Sequence, residues 1–182
     1  MFAHWIDDQT CLRLLQQQHA SELFALVDAH REHLRAWLPW VDATQCEQDS
    51  MDFIVMQVFT FAQQGLMTCG IWHGGALCGV IGHNDIDPEQ RVARLGYWLA
   101  ADHQGRGLMT ACVAAFVEHA FDTYELQTVE IRVAPRNRRS RAIPERLGFT
   151  EGAVIQAAER LHDRTVDHVC YTLERPDWRP QP

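Results

Sequence analysis

The sequence predicts a mixed α/β (α+β) layer fold, and three observations predict it. Ala20, Leu23, Phe24 and Val27 recur at i, i+3, i+4 and i+7, the spacing of an amphipathic helix. The period then changes: "LMTCGIWH" and "ALCGVIGHNDI" read as two strands joined by a glycine turn at Gly74-Gly75. Further on, helical and two-residue periods alternate again, so helices and strands are interleaved rather than segregated.

Taken in order, Thr10 to Leu15 is a first strand. The helix opening at Ala20 runs toward "WLPW" (Trp37 to Trp40), where Pro39 acts as a breaker, and a second helix covers Ser50 to Gln63. The glycine-turn pair follows, then a strand over Val92 to Leu99. Met109, Val113, Phe116, Val117, Ala120 and Phe121 form one apolar stripe, the mark of a core-facing helix. Val129, Ile131 and Val133 alternate with Glu130 and Arg132 as a half-buried strand. A short helix over Ser140 to Leu147 stops at Gly148, and strands around Thr150 to Glu159 and Val166 to Glu174 complete the sheet. The tail 175–182, "RPDWRPQP", is proline-rich and reads as loose.

The 182 residues suit a single domain, 1–182, with a core of its own. A formal net charge of −8 argues against broad binding to nucleic acid, which works by neutralising phosphates with Lys and Arg. No apolar run approaches the roughly 18 residues of a membrane span, and "MFAHWIDDQT" lacks the basic and apolar regions of a signal peptide. The six cysteines are scattered without a C-x-x-C pair, which fits reduced thiols in a cytoplasmic protein.

The stretch "DHQGRGLMTACVAAFVEHAF" (Asp102 to Phe121) places two glycines and an arginine at the mouth of a helix. Glycine there is costly in backbone entropy. Unpaired N–H groups and the positive dipole end of a helix N-terminus bind anions, and glycines let that backbone come close to a pyrophosphate. A glycine pair before a helix also arises for purely structural reasons. The segment is neither a Walker A loop, which ends Gly-Lys-Ser/Thr, nor the G-x-G-x-x-G of a dinucleotide fold. Arg136, Arg138, Arg139, Arg141 and Arg146 gather beside a second turn-to-helix junction, in a chain with 16 Lys and Arg in all. They suggest a further phosphate nearby, or else the solvated face of a short helix.

"LGYWLAADHQGRGLMT" followed by "NRRSRAIPERLGF" resembles the GNAT superfamily of N-acetyltransferases. "WLPW", "GYWL", the Asn-x-x-Ser before "RLGF" and the late "AAERLHDRTVDHVCYTL" look like its Rim-type branch, which acetylates the N-termini of ribosomal proteins. The resemblance spans nearly the whole chain and implies a central, mixed, mostly antiparallel sheet flanked by helices. It implies acetyl-CoA as acyl donor, with Gln104, Gly105, Arg106, Gly107, Met109 and Thr110 as the pyrophosphate loop. Trp98 and Leu99 would pair with the pantetheine arm, Asn137 and Ser140 would lie near the thiol end, and Glu159 would act as base. Met109 departs from the small residue usual at its position. Pro144 sits where the branch has a small helix former, so the Ser140 helix is expected to start later or to kink.

An α-amine with a pKa of about 7.7–8.0 is roughly one-tenth free base near pH 7, whereas a lysine at about 10.4 costs ~3.4 kcal/mol more to deprotonate. A water-linked Glu159 therefore suffices for an N-terminus, with Ser140 protonating the departing sulfur. Glu159 also fits a plain surface carboxylate, and Ser140 a helix cap. Trp37 and Trp40 suit an acceptor pocket, a core plug or a dimer contact, and a homodimer is compatible with the branch resemblance. His30 and His33 share a helix face, and His162, Asp163, Asp167 and His168 cluster late, but none has zinc-site spacing, so no metal is expected. The expected activity is acetyl transfer to a protein N-terminal α-amine. The rivals are the same chemistry on a small amine (polyamine, amino acid or drug) and a non-catalytic acyl-CoA sensor.

Overall fold

The computed structural model describes residues 3–179, so the end of the proline-rich tail lies outside the described residues. The elements are β1 (Ala3–Trp5), β2 (Thr10–Leu14), α1 (Ala20–Ala29), α2 (Arg31–Arg35), α3 (Glu47–Gln64), β3 (Thr68–His73), β4 (Ala76–Asp87) and β5 (Val92–Leu99). Then come α4 (Leu108–Asp122), β6 (Thr128–Val133), α5 (Arg138–Arg146), β7 (Thr150–Leu161) and β8 (Arg164–Glu174). Short 3-10 turns lie at Gln17–His19, Pro39–Ala43, Ala101–His103 and Arg175–Asp177. The eight strands form one sheet in the order β1-β2-β3-β4-β5-β6-β8-β7. β5 and β6 pair in parallel, Val92–Leu95 against Thr128–Ile131, while β1/β2, β2/β3, β3/β4, β6/β8 and β7/β8 are antiparallel.

The chain divides into two compact units, one running to Gly82 and taking in Tyr97–Leu108, the other comprising His83–Gly96 and Met109 onward. The core of the first joins β2, β3 and β4 to α1, α2 and α3 through Leu15, Leu23, Val27, Leu34, Val41, Ile54, Trp72 and Val80. In the second, the stripe Met109, Val113, Phe116, Val117, Ala120 and Phe121 is buried as its spacing requires, and so are Val129, Ile131 and Val133. All six cysteines are free; burial pushes the thiols of Cys69 and Cys78 up to about 12, where they stay neutral.

Four elements differ from the sequence reading. β1 adds a strand too short to show a period. The first helical region breaks at His30 into α1 and α2. α3 begins at Glu47 rather than Ser50, because the Asp49 carboxylate accepts the backbone N–H groups of Gln45 (2.7 Å) and Cys46 (2.9 Å) and closes a capping box. α5 begins at Arg138, ahead of Ser140, because Asn137 caps it, and Pro144 lies inside it rather than delaying its start.

Candidate active site

In the first unit the site grows from the end of β5. A Cβ on Gly79 of β4 would sit 2.4 Å from the Trp98 carbonyl oxygen, so only glycine lets β4 lie this close to Trp98 and Leu99. The Ala100 N–H donates to Cys78 O at 2.8 Å and fixes the exit of the strand. Leu99 is buried and Trp98 half-buried. Trp40 packs on Trp98 at a tilt of 52°, with ring centroids 5.9 Å apart.

Trp40 is held by charges on α2. The Arg31 guanidinium donates to the carbonyl oxygens of Val41 (2.7 Å) and Thr44 (2.8 Å), and Arg35 grips Asp42 bidentately at 2.7 and 2.9 Å. Both arginines thereby tie the Pro39–Ala43 turn to α2. Trp37 is half-buried and lies just ahead of that turn.

Past the Ala101–His103 turn, Gln104 is extended (φ −75°, ψ 160°), and Gly105 and Gly107 adopt left-handed φ values of +77° and +80°. That conformation, which L side chains rarely hold, is why both positions are glycine. Beyond their immediate chain neighbours, nothing lies within 4 Å of where their Cβ atoms would be, so this side of the backbone is open. Glycine on either side of an exposed arginine, leading into the α4 N-terminus, fits the pyrophosphate of an acyl-CoA. The Arg106 guanidinium donates to Asp102 O at 3.0 Å. The Gln104 amide nitrogen donates to Leu99 O at 3.4 Å and meets His33 Nε2 at 2.9 Å. Asp102 accepts from His103 Nδ1 at 2.9 Å and faces His30 Nε2 at 3.6 Å; the His103 hydrogen bond holds its carboxyl below the usual range.

In the second unit, Met109 is buried in the α4 stripe, which accounts for the large residue there, and Thr110 is half-buried. Asn137 Oδ1 accepts the Ser140 N–H at 3.2 Å, so Asn137 is the cap of α5 and Ser140 sits in its first turn. Pro144 has no N–H to offer the Ser140 carbonyl four residues back. Of the clustered arginines, Arg141 is committed within the protein. Its Nε donates to the Tyr171 hydroxyl at 2.7 Å and its Nη2 to Glu151 at 2.9 Å, while that hydroxyl also donates to Glu145 at 2.9 Å. This network ties α5 to β7 and β8.

Glu159 lies on β7 opposite Val166, with its carboxylate 3.5 Å from His168 Nε2 on β8. The ladder is irregular between Ile155 and Glu159. There Ala157 takes a φ of +50° and gives its N–H to Asp167 at 2.8 Å, so a bulge re-aims the strand just before Glu159. His30, His33, Asp102 and His103 were not anticipated at this site. The shared helix face of His30 and His33 was the available signal; in the structure His33 meets Gln104 and His30 faces Asp102. Among the described residues, no group of three or more His, Cys, Asp or Glu side chains is arranged to hold a metal ion.

A glycine-opened loop between a strand and a helix N-terminus, in a mixed and mostly antiparallel sheet, is the arrangement that the resemblance to acyl-CoA-dependent N-acetyltransferases implies. Residues 9–150 match the acetyltransferase (GNAT) domain family, and the chain belongs to that family. It is 29% identical over 179 residues, 98% of both chains, to YdaF of Bacillus subtilis (strain 168), provisionally named a ribosomal N-acetyltransferase. It is 28% identical over 152 residues, 84% of this chain and 85% of the other, to the ribosomal-protein-serine acetyltransferase of Escherichia coli (strain K12). The structure superposes with a TM-score of 0.89 and 25% identity, covering 93% of this chain and 94% of the other, on the microcin C7 self-immunity acetyltransferase MccE in complex with acetyl-CoA and AMP. The protein is thus an acetyltransferase of the GNAT family.

Proposed function

We propose that the chain, working as one catalytic domain in the cytoplasm, transfers the acetyl group of acetyl-CoA to the α-amine of a protein N-terminus, with a ribosomal protein as acceptor. The observation that carries this reading is the end-to-end similarity to YdaF, named for ribosomal N-acetylation. The loop Gln104–Gly107, with Met109 and Thr110 leading α4, binds the donor pyrophosphate through backbone N–H groups and Arg106. The backbone at Trp98 and Leu99 pairs with the pantetheine arm and donates to the carbonyl oxygen as charge builds on it.

The neutral amine attacks the thioester carbonyl; the C–N bond forms and the C–S bond breaks. Glu159 accepts the proton the amine gives up, through a water. The Ser140 hydroxyl gives a proton to the leaving thiolate and recovers one from solvent. Asn137 supports Ser140 by fixing the first turn of α5. Trp40, braced by Arg31 and Arg35, and Trp37 form the acceptor side. Assembly as a homodimer belongs to the same reading and is tested by sedimentation.

MccE, named for self-immunity to microcin C7 and solved with acetyl-CoA and the small molecule AMP, favours a second reading, the same chemistry on a small amine. CoA release from acetyl-CoA separates the two. Release with Ser- or Ala-initiated peptides, and none with a polyamine or an amino acid, supports the first; the reverse pattern selects the second.

A further inference from the structure

We propose that His33 is a positioning residue for the donor loop: it fixes Gln104, and through Gln104 the turn that presents the loop backbone to the pyrophosphate of acetyl-CoA. This rests on the assignment of Gln104–Gly107 as the pyrophosphate loop.

The Gln104 amide nitrogen has only protons to give. One points to Leu99 O at 3.4 Å and the other meets His33 Nε2, 2.9 Å away, which accepts in this orientation. The Gln104 side chain thus spans the end of β5 and the middle of α2, and it anchors the residue immediately before two left-handed glycines. Gly105 and Gly107 carry no side chains to restrain them, so the freedom of this loop is greatest where Gln104 ends. A loop held in its binding shape loses less entropy when the ligand arrives, and so binds more tightly.

A second tie runs in parallel. His30, at the α1/α2 junction, faces Asp102 at 3.6 Å, and Asp102 holds His103 at 2.9 Å. The same short segment carries Arg31 and Arg35, which brace the Trp40 turn. One piece of backbone, His30 to Arg35, thus supports both the donor loop and the aromatic pair.

The test is acetyl-CoA affinity by calorimetry for His33→Ala, Gln104→Ala, the double variant and His33→Gln, beside S-acetylpantetheine, which lacks the pyrophosphate. We expect His33→Ala and Gln104→Ala each to weaken acetyl-CoA binding about fivefold, the scale of one hydrogen bond. The double variant should be no weaker than either single one, since both remove the same contact. His33→Gln, whose Oε1 can accept in place of Nε2, should restore affinity, and S-acetylpantetheine binding should not change. If Gln104→Ala weakens binding while His33→Ala does not, or if the two effects multiply, the proposal is overturned and the loop assignment stands. Equal loss for S-acetylpantetheine would mean general disruption and also overturns it. If neither Gln104→Ala nor Gly107→Val alters acetyl-CoA affinity, the loop assignment itself fails and the proposal falls with it.

Discussion

Trp40 rests against Trp98, ring centroids 5.9 Å apart, and the Trp98 carbonyl in turn faces Gly79, the glycine that lets β4 approach β5. The pair joins the turn after α2 to the strand end assigned to the donor. Trp40→Ala removes one aromatic partner, a loss of about 0.5–1.5 kcal/mol beyond buried area. We expect the KM of a Ser-initiated peptide to rise about three- to tenfold, with acetyl-CoA affinity unchanged. Steady-state kinetics with each substrate varied in turn checks this; a rise confined to acetyl-CoA would move Trp40 to the donor side.

Glu159 sits just past the bulge at Ala157 and near His168. If it relays the amine proton, Glu159→Gln lowers kcat near neutral pH by about a hundredfold, the lower end for a general base. An α-amine deprotonates unaided above its pKa of about 8. The gap between variant and wild type should therefore narrow as pH rises from 7 to 9. Equal kcat for the two proteins at every pH removes Glu159 from the mechanism.

Asn137 caps α5 and holds Ser140 in its first turn. Asn137→Ala should cost about 1 kcal/mol of stability, the usual loss of a side-chain cap, and should lower kcat as well. Asn137→Asp keeps an acceptor oxygen and should recover both. Thermal melts and turnover on the same preparations decide whether cap and catalysis move together.

Acid should destabilise the fold through named carboxyls. Backbone hydrogen bonds from Gln45 and Cys46 hold Asp49 below its ordinary range, and His103 does the same for Asp102. A carboxyl with a depressed folded pKa contributes stability above its unfolded value near 3.9, and that contribution disappears as pH falls through the folded one. Denaturant midpoints should fall below about pH 4, and Asp49→Asn should flatten that limb while lowering stability at pH 7. An acid limb unchanged in Asp49→Asn would assign the effect elsewhere.

Local patterns carried much of this fold in the sequence. The α4 stripe, the alternation in β6 and the bounds of β5 were legible because each expresses one period over several residues. β1 was not, since three residues express no period. The α1/α2 break falls at His30, beside Arg31, whose guanidinium bonds Val41 and Thr44, long-range contacts that no helical pattern encodes. The glycine loop was visible as a motif, and so was the Asn137–Ser140 spacing at the start of α5. The bond between His33 and Gln104 joins residues 71 positions apart, and that of Arg141 with Tyr171 spans 30. Spacing along the chain cannot reveal such pairs. Arg141 therefore read as one of five arginines beside a further phosphate or on a solvated helix face, although its guanidinium bonds Tyr171 and Glu151.

The central claim is the acceptor, and CoA release from acetyl-CoA tests it most directly. The panel is Ser- and Ala-initiated peptides, a lysine peptide with a blocked N-terminus, and a polyamine. Selective release with the free N-terminal peptides is the predicted result. Release with the polyamine alone, at full rate, would contradict the claim while leaving the fold and the donor chemistry in place.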